Sequence, residues 1–227
     1  MPGKLYVVPT PIGNLEDITL RAIRVLREVD YILSEDTRTT GKLLKHLEVQ
    51  ATLKPYHLHN EHARVARLAE DIASSRAVAL VSDAGTPAIS DPGFLLVREC
   101  LARGVEVECL PGPTAMIPAL VMSGLPCERF AYEGFLPPKK GRQKRLTLLR
   151  EQGRTAVLYE SPHRVLKLLG ELAEVYGPAQ PLSISREITK LYAENLRGSV
   201  EQLIAHFEEQ PPKGEFVVVV APHEPAP

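Results

Sequence analysis

Tryptophan is missing from this 227-residue chain, and aromatic side chains make up only 5% of it. Recognition of single-stranded nucleic acid by base stacking alone therefore has few rings to draw on. Net charge is scarce as well: 27 Lys plus Arg stand against 28 Asp plus Glu, a formal charge of −1, which excludes a charge-saturated nucleic-acid coat. Cys100, Cys109 and Cys127 are odd in number and form no C-x-x-C pair. Neither a disulfide framework nor a thiolate zinc site is expected, and the three read as buried small hydrophobes. No metal site is expected from the other side chains. No apolar run approaches the roughly 18 residues of a membrane span, and the first eight residues lack the charged-then-apolar order of a signal peptide. The expectation is a cytoplasmic protein that engages no membrane. What the chain does have is a globular balance, 44% hydrophobic and 24% charged. Proline is abundant: 20 residues, roughly 9% against the usual ~5%.

Short β-branched runs alternate with helical patterns along the whole length, the pattern of βα units and mostly parallel sheets. Strands are expected at residues 5–8, 77–81, 105–109, 130–135, 155–159, 182–185 and 216–220. Apolar stripes at i, i+3, i+4, i+7 lie between them: Val65, Leu68, Ala69 and Ile72; Val165, Leu168, Leu169 and Leu172; Val200, Leu203, Ile204 and Phe207. Each should pack on a sheet face. Ser123-Gly124-Leu125-Pro126 closes one helical stretch before strand counting restarts. That predicts two α/β domains, 1–122 and 123–227, with one continuous doubly wound domain as the alternative. The Pro-rich tail from Ala221 is expected to fray.

Glycine and proline collect where strands end. Pro9-Thr10-Pro11-Ile12-Gly13-Asn14 follows the first strand, residues 82–93 follow the second, and Pro111-Gly112-Pro113-Thr114-Ala115 follows the third. Open α/β sheets bind ligands beyond the carboxyl ends of their strands. Proline-stiffened loops lose little entropy on binding, which suits a preformed pocket. G-x-G-x-x-G and Walker A loops are both absent, so NAD and ATP are not indicated. Asp83 at a strand end, Gly85 for close backbone approach and Thr86 as a hydroxyl suit a ligand carrying amine and ribose groups.

Leu5-Tyr6-Val7-Val8, Asp17-Ile18-Thr19, Ser82-Asp83-Ala84-Gly85-Thr86-Pro87 and Pro111-Gly112-Pro113-Thr114-Ala115 resemble the tetrapyrrole-methylase superfamily of S-adenosylmethionine enzymes. One branch is more similar still. Glu35-Asp36-Thr37-Arg38, His59-Asn60-Glu61, Ser90-Asp91-Pro92-Gly93, Glu160-Ser161-Pro162-His163-Arg164, Arg186-Glu187-Ile188-Thr189-Lys190 and Lys213-Gly214-Glu215 resemble the ribosomal small-subunit methyltransferase I family, which 2′-O-methylates a cytidine of 16S rRNA. Ile188 departs from the leucine expected there but keeps the apolar character. The resemblance implies a cofactor cleft between the two domains, a homodimer, and 16S rRNA of the small ribosomal subunit as partner. Carried over position by position, it implies S-adenosylmethionine contacts at Ile12, Asp83, Gly85, Thr86, Thr114, Ala115, Tyr159 and Gly214.

Methyl transfer from a sulfonium releases a neutral leaving group, so positioning does much of the work. A ribose 2′-hydroxyl needs a base to take its proton or a cation to lower its pKa. Glu35, Asp36, His59, Glu160, His163 and Lys190 are the candidates, with the base unassigned among them. RNA binding asks for local positive charge. Lys139, Lys140, Arg142, Lys144 and Arg145 form the strongest basic run, which reads either as a phosphate contact or as a solvated helix start. Arg38, Arg164 and Arg186 could add contacts, and Tyr6, Tyr56, Tyr132, Tyr159 and Tyr192 are the available rings. Two other functions fit the binding loops: a methylase of a tetrapyrrole or another small molecule, and a cofactor-binding scaffold on the ribosome without turnover.

Overall fold

A computed structural model describes residues 3–56 and 61–223. The chain divides into two compact units, Met1–Thr114 and Ala115–Pro227.

In the first unit β1 (Lys4–Val7), α1 (Leu20–Glu28), β2 (Tyr31–Ser34), α2 (Thr37–His46), β3 (Leu53–Pro55), α3 (Glu61–Ser74), β4 (Val78–Val81), α4 (Phe94–Ala102) and β5 (Glu106–Cys109) follow in order. The strands form one sheet in the order β3-β2-β4-β1-β5, and every pairing in it is parallel. Alternation along the strands sends Leu5, Tyr31, Leu33, Val78 and Leu80 to one face, against Ala69 and Ile72 of α3 and Leu96 and Cys100 of α4. Ile32, Ala79 and Val81 point to the other, against Ala22, Val25 and Leu26 of α1 and Leu44 of α2. Helix starts follow local chemistry: the Thr19 hydroxyl accepts the Ala22 N–H at 3.0 Å, and the Asp36 carboxylate accepts the Arg38 N–H at 2.8 Å.

The second unit holds α5 (Met116–Ser123), β6 (Phe130–Phe135), α6 (Arg142–Glu151), β7 (Thr155–Glu160), α7 (Val165–Tyr176), β8 (Pro181–Arg186), β9 (Glu194–Ser199), α8 (Val200–Glu209) and β10 (Phe216–Val220). Its sheet runs β6-β7-β10-β8-β9. Only β6 and β7 are parallel; β10 is antiparallel to β7 and β8, and β8 to β9. The expectation of mostly parallel sheets therefore holds for the first unit and fails for the second. Leu168, Leu169 and Leu172 of α7 and Val200, Leu203 and Phe207 of α8 pack on one face of this sheet, so those two stripes are buried as expected. Ala119 and Leu120 of α5 pack on the other, against Val157, Val217 and Val219. That burial ties α5 to the second unit, and the division falls after Thr114 rather than after residue 122.

Three further expectations change. Cys100 is buried, but Cys109 and Cys127 are exposed. The strands β2, β3 and β9 were not anticipated. At the start of the tail Ala221 is held: its N–H donates to the Pro181 carbonyl at 3.1 Å, and its carbonyl accepts from Gln180 at 2.9 Å; residues 224–227 of that tail lie outside the described residues. Among the described residues no helix is long and apolar enough to cross a membrane.

Two glycines test the packing. A Cβ on Gly112 would stand 2.7 Å from Cβ of Pro9, and a proline ring cannot rotate aside. Gly170, inside α7, has nothing within 4 Å of that position. Gly112→Ala should destabilise by about 1–3 kcal/mol through overpacking, whereas Gly170→Ala should stabilise by up to about 1 kcal/mol through helix propensity. Denaturant midpoints of the two variants check the contrast.

Candidate functional site

Because all strands of the first sheet are parallel, residues 8–14, 35–36, 82–93 and 110–114 emerge at one edge. They are sewn together there. Thr10 and Gly85 form an isolated antiparallel bridge, with N–H···O distances of 2.9 Å in both directions. The Thr10 hydroxyl donates to the Ser82 carbonyl at 3.0 Å. The Thr86 hydroxyl donates to the Pro113 carbonyl at 3.2 Å, which leaves its oxygen only as an acceptor. Gly85, at φ 80°, would place a Cβ 3.5 Å from Cγ2 of Ile12. Ile12, Asp83, Gly85 and Thr86 thus meet on one joined surface. Thr114 closes the unit, and Ala115 is the N-cap of α5 with no side-chain hydrogen bond.

This edge is acidic. Asp83 accepts the Asp36 N–H at 3.1 Å. Burial, then the charges of Glu35 and Asp83, push the Asp91 carboxyl up to about 7. Asp91 belongs to a quoted motif, and Asp83 lies in the same loop, but Glu35 comes from the end of another strand and its proximity could not be read from the sequence. Asp36 was a base candidate and is corrected: its carboxylate caps α2 and takes Arg38 Nε at 3.1 Å and Nη2 at 2.8 Å. These bonds hold it down to about 2, so it has no basicity to offer. Arg38 in turn is bound to Asp36, although its side chain is largely exposed. Ser34, the last residue of β2, is buried with its Oγ unpartnered. His59 lies outside the described residues.

In the second sheet Phe216 pairs with both Glu160 and Arg186, and Phe135 pairs with Tyr159. Residues 136–145, 161–164, 187–193 and 213–215 therefore leave the sheet at one edge, and the remaining motifs gather there. Glu160 is the centre of a buried network rather than a free base. Its side chain is 0% exposed and that of Arg142 3%. Oε1 accepts the Ser161 N–H at 2.9 Å and forms an ion pair with Arg164 Nε at 2.9 Å; Oε2 accepts Arg142 Nη2 at 3.1 Å. Arg142 Nε reaches Glu171 at 2.6 Å. Arg142 is thus removed from the expected RNA-binding set.

Lys190 is engaged as well. Its Nζ lies 2.9 Å from Glu187 Oε1 and 2.7 Å from Glu215 Oε2. Burial works against the charge, but hydrogen bonds to Glu215 and Glu187 raise its pKa above the usual lysine value. A cation held by two carboxylates does not abstract a proton, which bears on the base role and not on the alternative of a cation beside the hydroxyl. A Cβ on Gly214 would stand 2.5 Å from Glu187 Cγ, so this glycine is required by the same ion-pair group. Tyr159 is half-buried and packs edge-on against Tyr132 and Phe135, at centroid distances of 5.3 and 5.6 Å. Arg186 pairs with Glu194 at 3.3 Å, and Arg145 pairs with Glu133. Lys139, Lys140, Lys144 and His163 are exposed. Of the six base candidates, the ion pairs above engage Asp36, Glu160 and Lys190; they do not bear on Glu35, His59 or His163. A cavity of about 650 Å³ has Lys54, Arg67, Leu68, Glu70, Asp71 and Ser74 in its walls; none of the loop residues above lines it, so its size does not make it the site.

Removing the charge from Glu160 leaves two arginines facing a neutral group in a closed space. Glu160→Gln should therefore cost about 3–5 kcal/mol, readable as a lower denaturant midpoint. For Asp91 the pH dependence has a definite sign. Its folded carboxyl titrates near 7 and an unfolded aspartate near ~3.9, so the native state binds the extra proton between those values. Stability from this group is present at acid pH and is lost as pH rises through that window. Asp91→Asn should be the more stable protein at pH 8, with an advantage that shrinks toward pH 5. A melting-temperature difference that is constant with pH would overturn the assignment.

Residues 4–204 match the family described as Tetrapyrrole (Corrin/Porphyrin) Methylases. A protein of Synechocystis sp. named ribosomal RNA small subunit methyltransferase I is 48% identical over 220 residues, which cover 96% of this chain and 79% of the relative. The Thermotoga maritima protein of the same name is 46% identical over 222 residues, 98% of this chain and 100% of the relative. Among solved structures, the uroporphyrin-III C-methyltransferase from Thermus thermophilus complexed with S-adenyl homocysteine superimposes with a TM-score of 0.66 at 21% identity, covering 96% of this chain and 97% of that one. The last likeness concerns the fold. With near-half identity along almost its whole length, the chain belongs to the ribosomal RNA small subunit methyltransferase I family, within the tetrapyrrole methylases.

Proposed function

We infer that this protein is an S-adenosylmethionine-dependent methyltransferase of ribosomal RNA that methylates the ribose 2′-oxygen of a cytidine in 16S rRNA of the small subunit. The observation that carries the reading is the 46–48% identity over 96–98% of the chain to relatives named ribosomal RNA small subunit methyltransferase I. Identity to the tetrapyrrole enzyme is 21%, which favours rRNA over a tetrapyrrole as acceptor. The same family membership supports a homodimer, and an rRNA substrate supports action in the cytoplasm, where ribosomal subunits are.

The residues at the first edge fit the cofactor. A sulfonium and an ammonium are cations, and Asp83, Glu35 and Asp91 supply negative charge there. The buried, unpartnered Ser34 hydroxyl and the acceptor oxygen of Thr86 suit donors of an amino acid or ribose. Ile12 and Gly85 supply the close, apolar part of the surface. When bound, S-adenosylmethionine supplies an electrophilic methyl on sulfur. The protein's own tasks are to hold the acceptor ribose in line and to receive the 2′-hydroxyl proton, for which Glu35, His59 and His163 are the candidates. Lys139, Lys140 and Lys144 supply exposed positive charge for the phosphates.

Asp83→Ala should weaken cofactor binding by about 1–3 kcal/mol, the worth of a charge-assisted hydrogen bond, as read by calorimetry. Mass spectrometry of 16S rRNA, from cells with and without the protein, should show one added methyl. That methyl should make the following phosphodiester resistant to alkali, since hydrolysis needs a free 2′-hydroxyl. A methyl located on the base would overturn the ribose assignment.

A further inference from the structure

The connection between β8 and β9, residues 187–193, spends stabilising interactions on displaying two apolar side chains. Leu191 is 87% exposed and Tyr192 68%, and no other adjacent pair of large apolar residues among the described residues is so exposed. Water is the least favourable surrounding for them. The backbone beneath is not loose. Lys190 N–H donates to the Glu187 carbonyl at 2.9 Å and Ala193 N–H to the Lys190 carbonyl at 3.1 Å, making two successive turns. Glu187 at φ 48° and Thr189 at φ 66° occupy the left-handed region, which is costly for a β-branched threonine. Glu187 N–H donates to the Glu215 carbonyl at 3.0 Å, Glu215 N–H returns to Glu187 Oε1 at 2.9 Å, and Lys190 bridges both carboxylates. A tip braced against the start of β10 in this way keeps its shape whether or not anything covers it.

Its surroundings point to the occupant. The tip leaves the sheet at the edge that also carries the exposed Lys139, Lys140, Lys144 and Lys213. An aromatic ring beside scattered, solvent-facing cations matches a polyanion whose units have flat apolar faces, which is single-stranded RNA. We propose that Tyr192, flanked by Leu191, stacks on an unpaired base of the rRNA substrate and so sets which nucleotide reaches the methyl donor. The ring is the stacking platform; Lys190 acts through it, as the brace that fixes the tip. The proposal rests on the rRNA reading above and adds a base-contacting, specificity-determining residue to it.

The test uses the full chain and small ribosomal subunits lacking the methyl. Tyr192→Ala should raise KM for subunits by roughly 5–150-fold, the usual effect of removing one stacked aromatic, with a smaller change in kcat. Tyr192→Phe, which keeps the ring, should restore wild-type KM. The slope of affinity against salt should be unchanged in both, because no phosphate contact is lost. Calorimetric affinity for S-adenosylmethionine should also be unchanged. A wild-type KM in Tyr192→Ala overturns the proposal. So does a shift of the alanine variant from dimer to monomer in sedimentation, which would make the tip a contact between copies. If the unmutated chain transfers no methyl to rRNA, the functional reading falls and this proposal with it.

Discussion

A carboxylate without solvent contact organises the second unit. Glu160 closes β7, and its two oxygens hold Arg142 at the start of α6 and Arg164 at the start of α7. A buried carboxylate is tolerable only when its lone pairs are met by donors and its charge by a cation, and here the Ser161 N–H and Arg142 Nη2 donate while two guanidinium groups supply the charge. The consequence is geometric. Two helix starts are tied to one strand end, so the segment carrying Lys139 and Lys140 and the turn carrying His163 are referred to the same fixed point. Without that tie each would be an ordinary surface loop with its own conformational freedom.

The two sheet edges differ in sign, and the difference follows ligand chemistry. At the first, burial of Asp91, reinforced by the charges of Glu35 and Asp83, lets that carboxyl hold its proton near neutrality. Such repulsion is a standing cost in the ligand-free chain, and a cation relieves it. At the second, lysines stand exposed around carboxylates already committed to internal partners. A near-zero net charge, which at first argues against a nucleic-acid enzyme, conceals these two local fields. Global charge is a poor guide when a protein must bind a cationic cofactor and a polyanionic substrate.

Much of this was legible from the residues. β6 and β10 fall where their β-branched and aromatic runs predict, and the Gly/Pro clusters do mark the strand-end loops. The missed strands have physical reasons. β3 is three residues long and β2 is four, bounded at both ends by acids; β9, Glu-Asn-Leu-Arg-Gly-Ser, has one large apolar side chain and owes its conformation to pairing with β8. The antiparallel character of the second sheet is a tertiary choice that periodicity does not encode. In the site, motif positions were legible and ionic partners were not. Arg142 finds Glu160 and Glu171 across 18 and 29 residues of chain, so a basic run read locally as phosphate-binding contains one arginine that never reaches solvent. Lys190 and Asp36 mislead in the same way, because a titratable residue in a polar motif is a base only if its neighbours leave it free.

Strain and bracing coincide in both edges. Ala88 and Ser90 sit at φ 71° and 64° in the loop after β4, as Glu187 and Thr189 do after β8. Each pair costs energy that a relaxed loop would not, and each is locked by specific bonds: Ala88 N–H to the Pro92 carbonyl at 3.2 Å, and the Glu187–Lys190–Glu215 group in the other case. A loop that pays for its shape during folding does not pay again when a ligand arrives. For methyl transfer this matters more than strong binding. The leaving group is neutral and needs little electrostatic help, so the rate depends on holding oxygen, carbon and sulfur in line, and misplacement by even about 1 Å is expensive. Braced loops at both strand-end edges meet that requirement by removing disorder from the protein's side of the reaction.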